Sequence, residues 1–226
     1  MRARHTARGP ARLVETALGR IQGAVEAVLD RRRGLPPQAA RAREPGGGRP
    51  EERPYEASPW GVLGRVLPRR EVSASDVFLE VGCGYGRVVV EAAGYPFRTV
   101  IGVERAPELA HAAGSAVARN AGRLRCGDVR VVASDALDFE IPDDVSVVYM
   151  NSPFVGRTFQ AFVAALLDSF DRAPRRVRLV YMYPVEHDHL VASGRFRQVR
   201  LGRRRVLRWR RAGYLRLYEV IGAPGA

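Results

Sequence analysis

Asp76-Val77-Phe78-Leu79-Glu80-Val81-Gly82-Cys83-Gly84-Tyr85-Gly86-Arg87 is the stretch from which the fold can be read. An apolar run closes on an acid, and three glycines alternate with larger residues. Val88, Val89, Val90, Ala92 and Ala93 then follow at helical spacing. This pattern predicts a strand, a tight turn and the start of a helix. Glycine suits the turn because it takes left-handed dihedrals freely and lets backbone approach a ligand without a Cβ in the way. The helix start adds unpaired N–H groups facing the same place. The spacing excludes the dinucleotide fingerprint G-x-G-x-x-G, whose third glycine lets helix and strand pack closely. Here Arg87 stands where that glycine would be, and Glu80 sits two residues before the first glycine.

Further along, strand and helix patterns alternate. Arg98–Glu104 reads as a second buried strand that also ends on an acid, followed by a helix from Pro107 to about Asn120. The two oxygens of a carboxylate at Glu104 match a pair of vicinal ribose hydroxyls, the usual duty of an acid at this point of a nucleotide-binding sheet. Asp128–Ala133 is a third strand, leading into Ser134-Asp135-Ala136. Val145–Asn151 is a fourth, leading into Ser152-Pro153-Phe154. A helix over Phe159–Phe170, a fifth strand over Val177–Tyr183 and two closing strands over Phe196–Leu201 and Gly213–Ile221 complete the series. Such alternation predicts an α/β protein with a largely parallel sheet and its ligands at the carboxyl ends of the strands.

Glu80-x-Gly82-x-Gly84-x-Gly86 resembles motif I of the class I S-adenosylmethionine-dependent methyltransferases, and the later motifs fall in register from Tyr55 to Ile221. The resemblance implies a seven-stranded, mostly parallel sheet of order 3-2-1-4-5-7-6 with helices on both faces, and S-adenosyl-L-methionine as cofactor. It implies that Glu80, Gly82, Cys83, Gly84 and Gly86 serve the methionine part and Glu104 the ribose. Asp135 and Ala136 would serve the adenine; the alternative is that Asp135 or Ser134 merely caps a short helix. Asn151-Ser152-Pro153-Phe154 resembles the Asn/Asp-Pro-Pro-Phe/Tyr motif of nitrogen methyltransferases. It also resembles an aromatic-Asn-Pro-Phe motif of bacterial methyltransferase-like proteins. It departs from both: Ser152 replaces a proline of the first, while Asn151 and Ser152 replace the aromatic and the asparagine of the second. The implied reaction is methyl transfer to a nitrogen of a protein side chain or small molecule. Asn151 would orient the acceptor, Pro153 shape the loop beside Ser152, and Phe154 form an apolar wall. A nucleic-acid base as acceptor, or a cofactor-binding module without turnover, are the alternatives. Glu186 and His187 lie at the same edge, as a base, a substrate contact or helix-capping residues.

The chain has 226 residues, 46% of them hydrophobic, enough for one domain with extensions. No apolar run reaches the roughly 18–20 residues of a membrane span. The arginine-rich start lacks the apolar core of a secretory signal. Cys83 and Cys126 form no disulfide framework, and no metal-ligand spacing occurs, so a cytoplasmic protein is expected. The net charge is +13 and every cation is arginine. Residues 1–54 carry 12 Arg against 6 acids, 55–171 carry 11 against 15, and 172–216 carry 14 against 2. The arginine-rich ends can attract nucleic acid, anionic lipid or acidic protein. Arg203, Arg204, Arg205 and Trp209 are the candidates for a nucleic-acid surface. Residues 1–34 are expected to form a basic amphipathic helix, with Val14, Leu18, Ile21, Val25, Val28 and Leu29 on one stripe. Its expected use is to dock on the chain's own domain; Glu15, Glu26 and Asp30 weigh against a membrane surface. Residues 35–54, rich in Pro and Gly, read as a linker, and 55–226 as the cofactor-binding domain, with Tyr55 and Trp60 as core or lid residues.

Overall fold

A computed structural model describes residues 10–36, 50–53, 55–200 and 214–223. Seven strands form one sheet: β1 (Val77–Val81), β2 (Thr99–Glu104), β3 (Asp128–Ala133), β4 (Val145–Met150), β5 (Arg178–Met182), β6 (Phe196–Val199) and β7 (Leu215–Val220). Their order is β3-β2-β1-β4-β5-β7-β6, with β7 antiparallel to both neighbours and the other pairs parallel. This is the expected order.

The helices are α1 (Pro10–Arg32), α2 (Val62–Val66), α3 (Arg87–Ala93), α4 (Pro107–Asn120), α5 (Gly156–Arg172) and α6 (His187–Ala192). Strand residues alternate between two cores, as a pleat demands. Phe78, Val100, Val147, Tyr149 and Val180 pack with α2, α3 and α4. Leu79, Ile101, Val148 and Leu179 pack with Phe159, Phe162 and Leu166 of α5 and Leu190 of α6. Both faces are thereby covered, which is why β1 and β5 are buried at every position. Between β3 and β4 the chain crosses by turns alone over residues 134–144.

The N-terminal helix docks on the domain, as expected, but chiefly by its acidic face: Leu29 of the apolar stripe packs inward while Ile21, Val25 and Val28 stay exposed. Glu26 and Asp30 are buried and both pair with Arg87, the first residue of α3. Arg87 is 2% exposed and also donates to the Ser58 carbonyl at 2.7 Å. Trp60 closes the network: its Nε1 donates to Asp30 at 3.0 Å and its backbone N–H to Glu26. Trp60 is therefore a core residue, packed with Leu35, Val90 and Ala116.

Candidate active site

The glycine turn follows β1 and opens α3. Gly82, Gly84 and Gly86 have φ of 71°, 53° and 77°, left-handed values that a side chain resists. At all three space is as restrictive as backbone, Gly86 lying against Ala113 of α4. A Cβ on Gly82 would meet Pro153 at 2.7 Å, and one on Gly84 would meet the Tyr55 ring at 2.0 Å. Hydrogen bonds fix the turn to β2: the N–H groups of Gly82 and Cys83 both donate to the Val103 carbonyl, at 2.9 and 3.0 Å. Cys83 is buried beneath the turn, and burial pushes its thiol up, so it packs rather than reacts.

Glu104 ends β2 beside this turn. Its Oε2 accepts from the Gly84 N–H at 2.8 Å and its Oε1 from the Ala106 N–H at 3.0 Å. One carboxylate thus sets the position of the glycine loop and offers its remaining lone pairs outward. Asp135 lies beyond β3 at the same edge. Its Oδ1 accepts from the Leu137 N–H at 2.9 Å, so it caps a turn; among the described residues no short helix follows β3 for it or Ser134 to cap. Ala136 packs against the α5-side core. The carboxyl ends of β1, β2 and β3 thereby bring Glu80, the glycines, Glu104 and Asp135 to one edge.

Glu80 is 4% exposed, and its Oε2 has no hydrogen-bond partner among the described residues. Burial raises its pKa well above the ordinary carboxylate value, and the fields of Glu91 and Glu104 add to this. A buried carboxyl with a spare oxygen suits an ammonium group, and the cradle of glycines admits a close ligand. These features fit the methionine end of S-adenosylmethionine. Burial thus favours its neutral form, and an arriving ammonium favours the carboxylate. Cofactor binding near neutral pH is therefore expected to release protons and to strengthen as pH rises. Calorimetry in Tris and in phosphate should then give different heats; equal heats would show that Glu80 does not titrate on binding.

Asn151, Ser152, Pro153 and Phe154 follow β4. Asn151 Nδ2 donates to the Glu56 carbonyl at 2.8 Å, while its Oδ1 is buried without a partner among the described residues. Ser152 takes a left-handed φ of 43° and its hydroxyl donates to the carbonyl of Tyr183, which has φ of 50°. Two non-glycine residues in this region mark a strained junction between the ends of β4 and β5. Phe154 turns into the core, its ring 5.9 Å from that of Phe162, so it anchors the loop from below. Glu186 accepts from the Gly156 N–H at 2.7 Å, and His187 Nδ1 lies 2.8 Å from the Tyr218 hydroxyl. Both hold structure at the β5 end.

The segment before α2 crosses this whole edge. Glu52 bridges to Phe154, the Arg53 N–H donates to the Pro153 carbonyl at 3.0 Å, and Arg105 pairs with Glu52 at 2.7 Å. The Glu51 carboxylate accepts from the Thr158 N–H and hydroxyl at the start of α5. Tyr55 then lies on Gly84 with its ring edge-on to Tyr85. Sequence patterning missed this strap because residues 50–53 carry no apolar periodicity. It also missed the partners of Arg87, for which the only signal was an arginine standing in place of a small residue.

The family described as a methyltransferase domain matches residues 79–171. No curated protein sequence matches the chain. Among solved structures, a T. thermophilus 16S rRNA N2 methyltransferase, solved with AdoMet and guanosine, superposes with a TM-score of 0.51 at 17% identity. The match covers 74% of this chain and 44% of that one. A dimethyladenosine transferase from Plasmodium falciparum gives 0.51 at 14% identity, over 74% and 63% of the two chains. An RNA methyltransferase from Salinibacter ruber, in complex with S-adenosyl-L-homocysteine, gives 0.48 at 21% identity, over 76% and 98%. The first two superpositions speak for the fold alone. The family match spans the glycine turn, Glu104, Asp135 and the β4 loop; over residues 79–171 the chain is similar to a methyltransferase domain, and its strand order and the cradle around Glu80 suit the cofactor S-adenosylmethionine.

Proposed function

We propose that the chain transfers a methyl group to a nitrogen atom of a protein side chain or small molecule. The observation that carries this reading is Asn151: a carboxamide at the carboxyl end of β4 whose oxygen is buried and unpartnered among the described residues, while its nitrogen is held by Glu56. The cofactor supplies a methyl group made electrophilic by a sulfonium. Asn151 Oδ1 accepts an N–H of the acceptor and so aims the nitrogen lone pair at that methyl group. The new C–N bond forms as the C–S bond breaks, its electron pair returning to sulfur, and the surplus proton leaves the nitrogen for solvent. Alignment and exclusion of water carry the rate in such a transfer. Pro153 and the Ser152–Tyr183 contact fix the loop from which Asn151 acts.

A nucleic-acid base is the second reading. It is favoured by Tyr214, exposed and edge-on to Tyr183 at 5.0 Å, which offers a stacking face beside Asn151. The rim itself alternates Glu51, Glu52 and Glu56 with Arg53 and Arg105, so it provides no continuous cationic track for a phosphate backbone. Arg203, Arg204, Arg205 and Trp209 lie outside the described residues. Asn151→Ala is expected to lower turnover by about a hundredfold, with cofactor affinity within about threefold of the parent. The acceptor class is read by incubating the protein and labelled cofactor with cell lysate and separating protein, nucleic-acid and small-molecule fractions. Label in nucleic acid favours the second reading. Cofactor binding with no label in any fraction makes the domain a binding module.

A further inference from the structure

Helix α1 spends its acids on the inside. Glu26 and Asp30 face Arg87 and Trp60, and the Arg33 guanidinium stands 4.1 Å above the centre of the Trp60 ring. Leu29 packs inward beside Trp60, and three apolar residues point the other way: Ile21 is 62% exposed, Val25 53% and Val28 47%. Spaced four and three apart, they form one stripe along the helix, and the sequence continues the same spacing through Leu18 and Val14. Arg32 falls on that stripe and Arg20 and Arg31 beside it, all three exposed. Between residues 19 and 33 the only acids are the two turned inward. Two of the three acids that argue against a membrane surface in the sequence, Glu26 and Asp30, are thus removed from that surface by the fold.

We propose that the outer face of α1 is a docking surface for an anionic lipid bilayer. Apolar side chains at the centre of the stripe enter the boundary between headgroups and acyl chains, while the arginines reach the lipid phosphates. No helix among the described residues is long and apolar enough to cross a membrane, so the contact is peripheral. Charge selects this partner over a second copy of the chain. Pairing two such faces would bring Arg20, Arg31 and Arg32 of each copy together with no acid on either face to offset them. The net charge of +13 adds long-range attraction to an extended negative surface.

Flotation of the full chain with vesicles tests this. The protein should float with an equal mixture of phosphatidylcholine and phosphatidylglycerol and stay behind with phosphatidylcholine alone. Ile21→Asp combined with Val25→Asp should weaken binding to the anionic vesicles by about tenfold or more. Both side chains face outward, so thermal unfolding and cofactor affinity should not change. The proposal fails if the parent does not float with anionic vesicles. It fails equally if the double variant floats as well as the parent, since arginines elsewhere then account for binding. A parent dimer in sedimentation velocity that the double variant splits, with vesicle binding retained, would make this face a self-interface instead.

Discussion

Arg87→Met is expected to destabilise the protein by about 3–5 kcal/mol, because it leaves two buried carboxylates without their cation. Arg87 pairs with both Glu26 and Asp30, and all three are buried. Burial already raises the pKa of Glu26 against the opposing pull of Arg87. Without the guanidinium this acid is driven further towards its neutral form. The defect should therefore be largest at neutral and alkaline pH and shrink as pH falls towards 4.5, the ordinary value for a glutamate. Glu26→Gln and Asp30→Asn added to Arg87→Met should recover much of the loss, since the charges vanish together. Chemical denaturation across pH measures all of this. A single variant as stable as the parent at neutral pH would mean that α1 contributes nothing to the fold through this network. Because Arg87 directly follows Gly86, loosening α3 should also weaken cofactor binding.

Glu104→Ala should weaken binding of S-adenosylmethionine and S-adenosylhomocysteine by about 2–3 kcal/mol, roughly 30- to 150-fold in Kd. The loss has two sources. The charged acceptor proposed for the ribose disappears, and the Gly84 and Ala106 N–H groups lose the carboxylate that holds the glycine loop in place. Glu104→Gln keeps one acceptor oxygen and should fall between the two. Titration calorimetry decides it, with NAD as a ligand that should not bind to any of them. An unchanged Kd in the alanine variant would remove Glu104 from the site.

The sequence by itself determined the fold and the edge at which the proposed cofactor residues meet. Motif I places a strand, three left-handed turn positions and a helix within twelve residues, and their chemistry is local, so no long-range contact is needed to read it. Glu104 and Asp135 were legible for the same reason: each ends a hydrophobic run, and a parallel sheet brings all such ends to one edge. Even the strand order followed, since five parallel strands closed by an antiparallel pair resemble one topology. Tertiary structure alone decided what faces what. Periodicity shows that Ile21, Val25 and Val28 share a stripe, but a helix with one apolar and one acidic face can dock by either. Here a buried arginine 61 residues from Glu26 selected the acidic one. Nor does any local pattern announce that Glu56 takes the amide of Asn151, 95 residues away, or that Phe154 turns inward to Phe162. These pairings depend on which groups remain unsatisfied when the sheet closes, and a buried polar group takes the partner that the fold brings within reach.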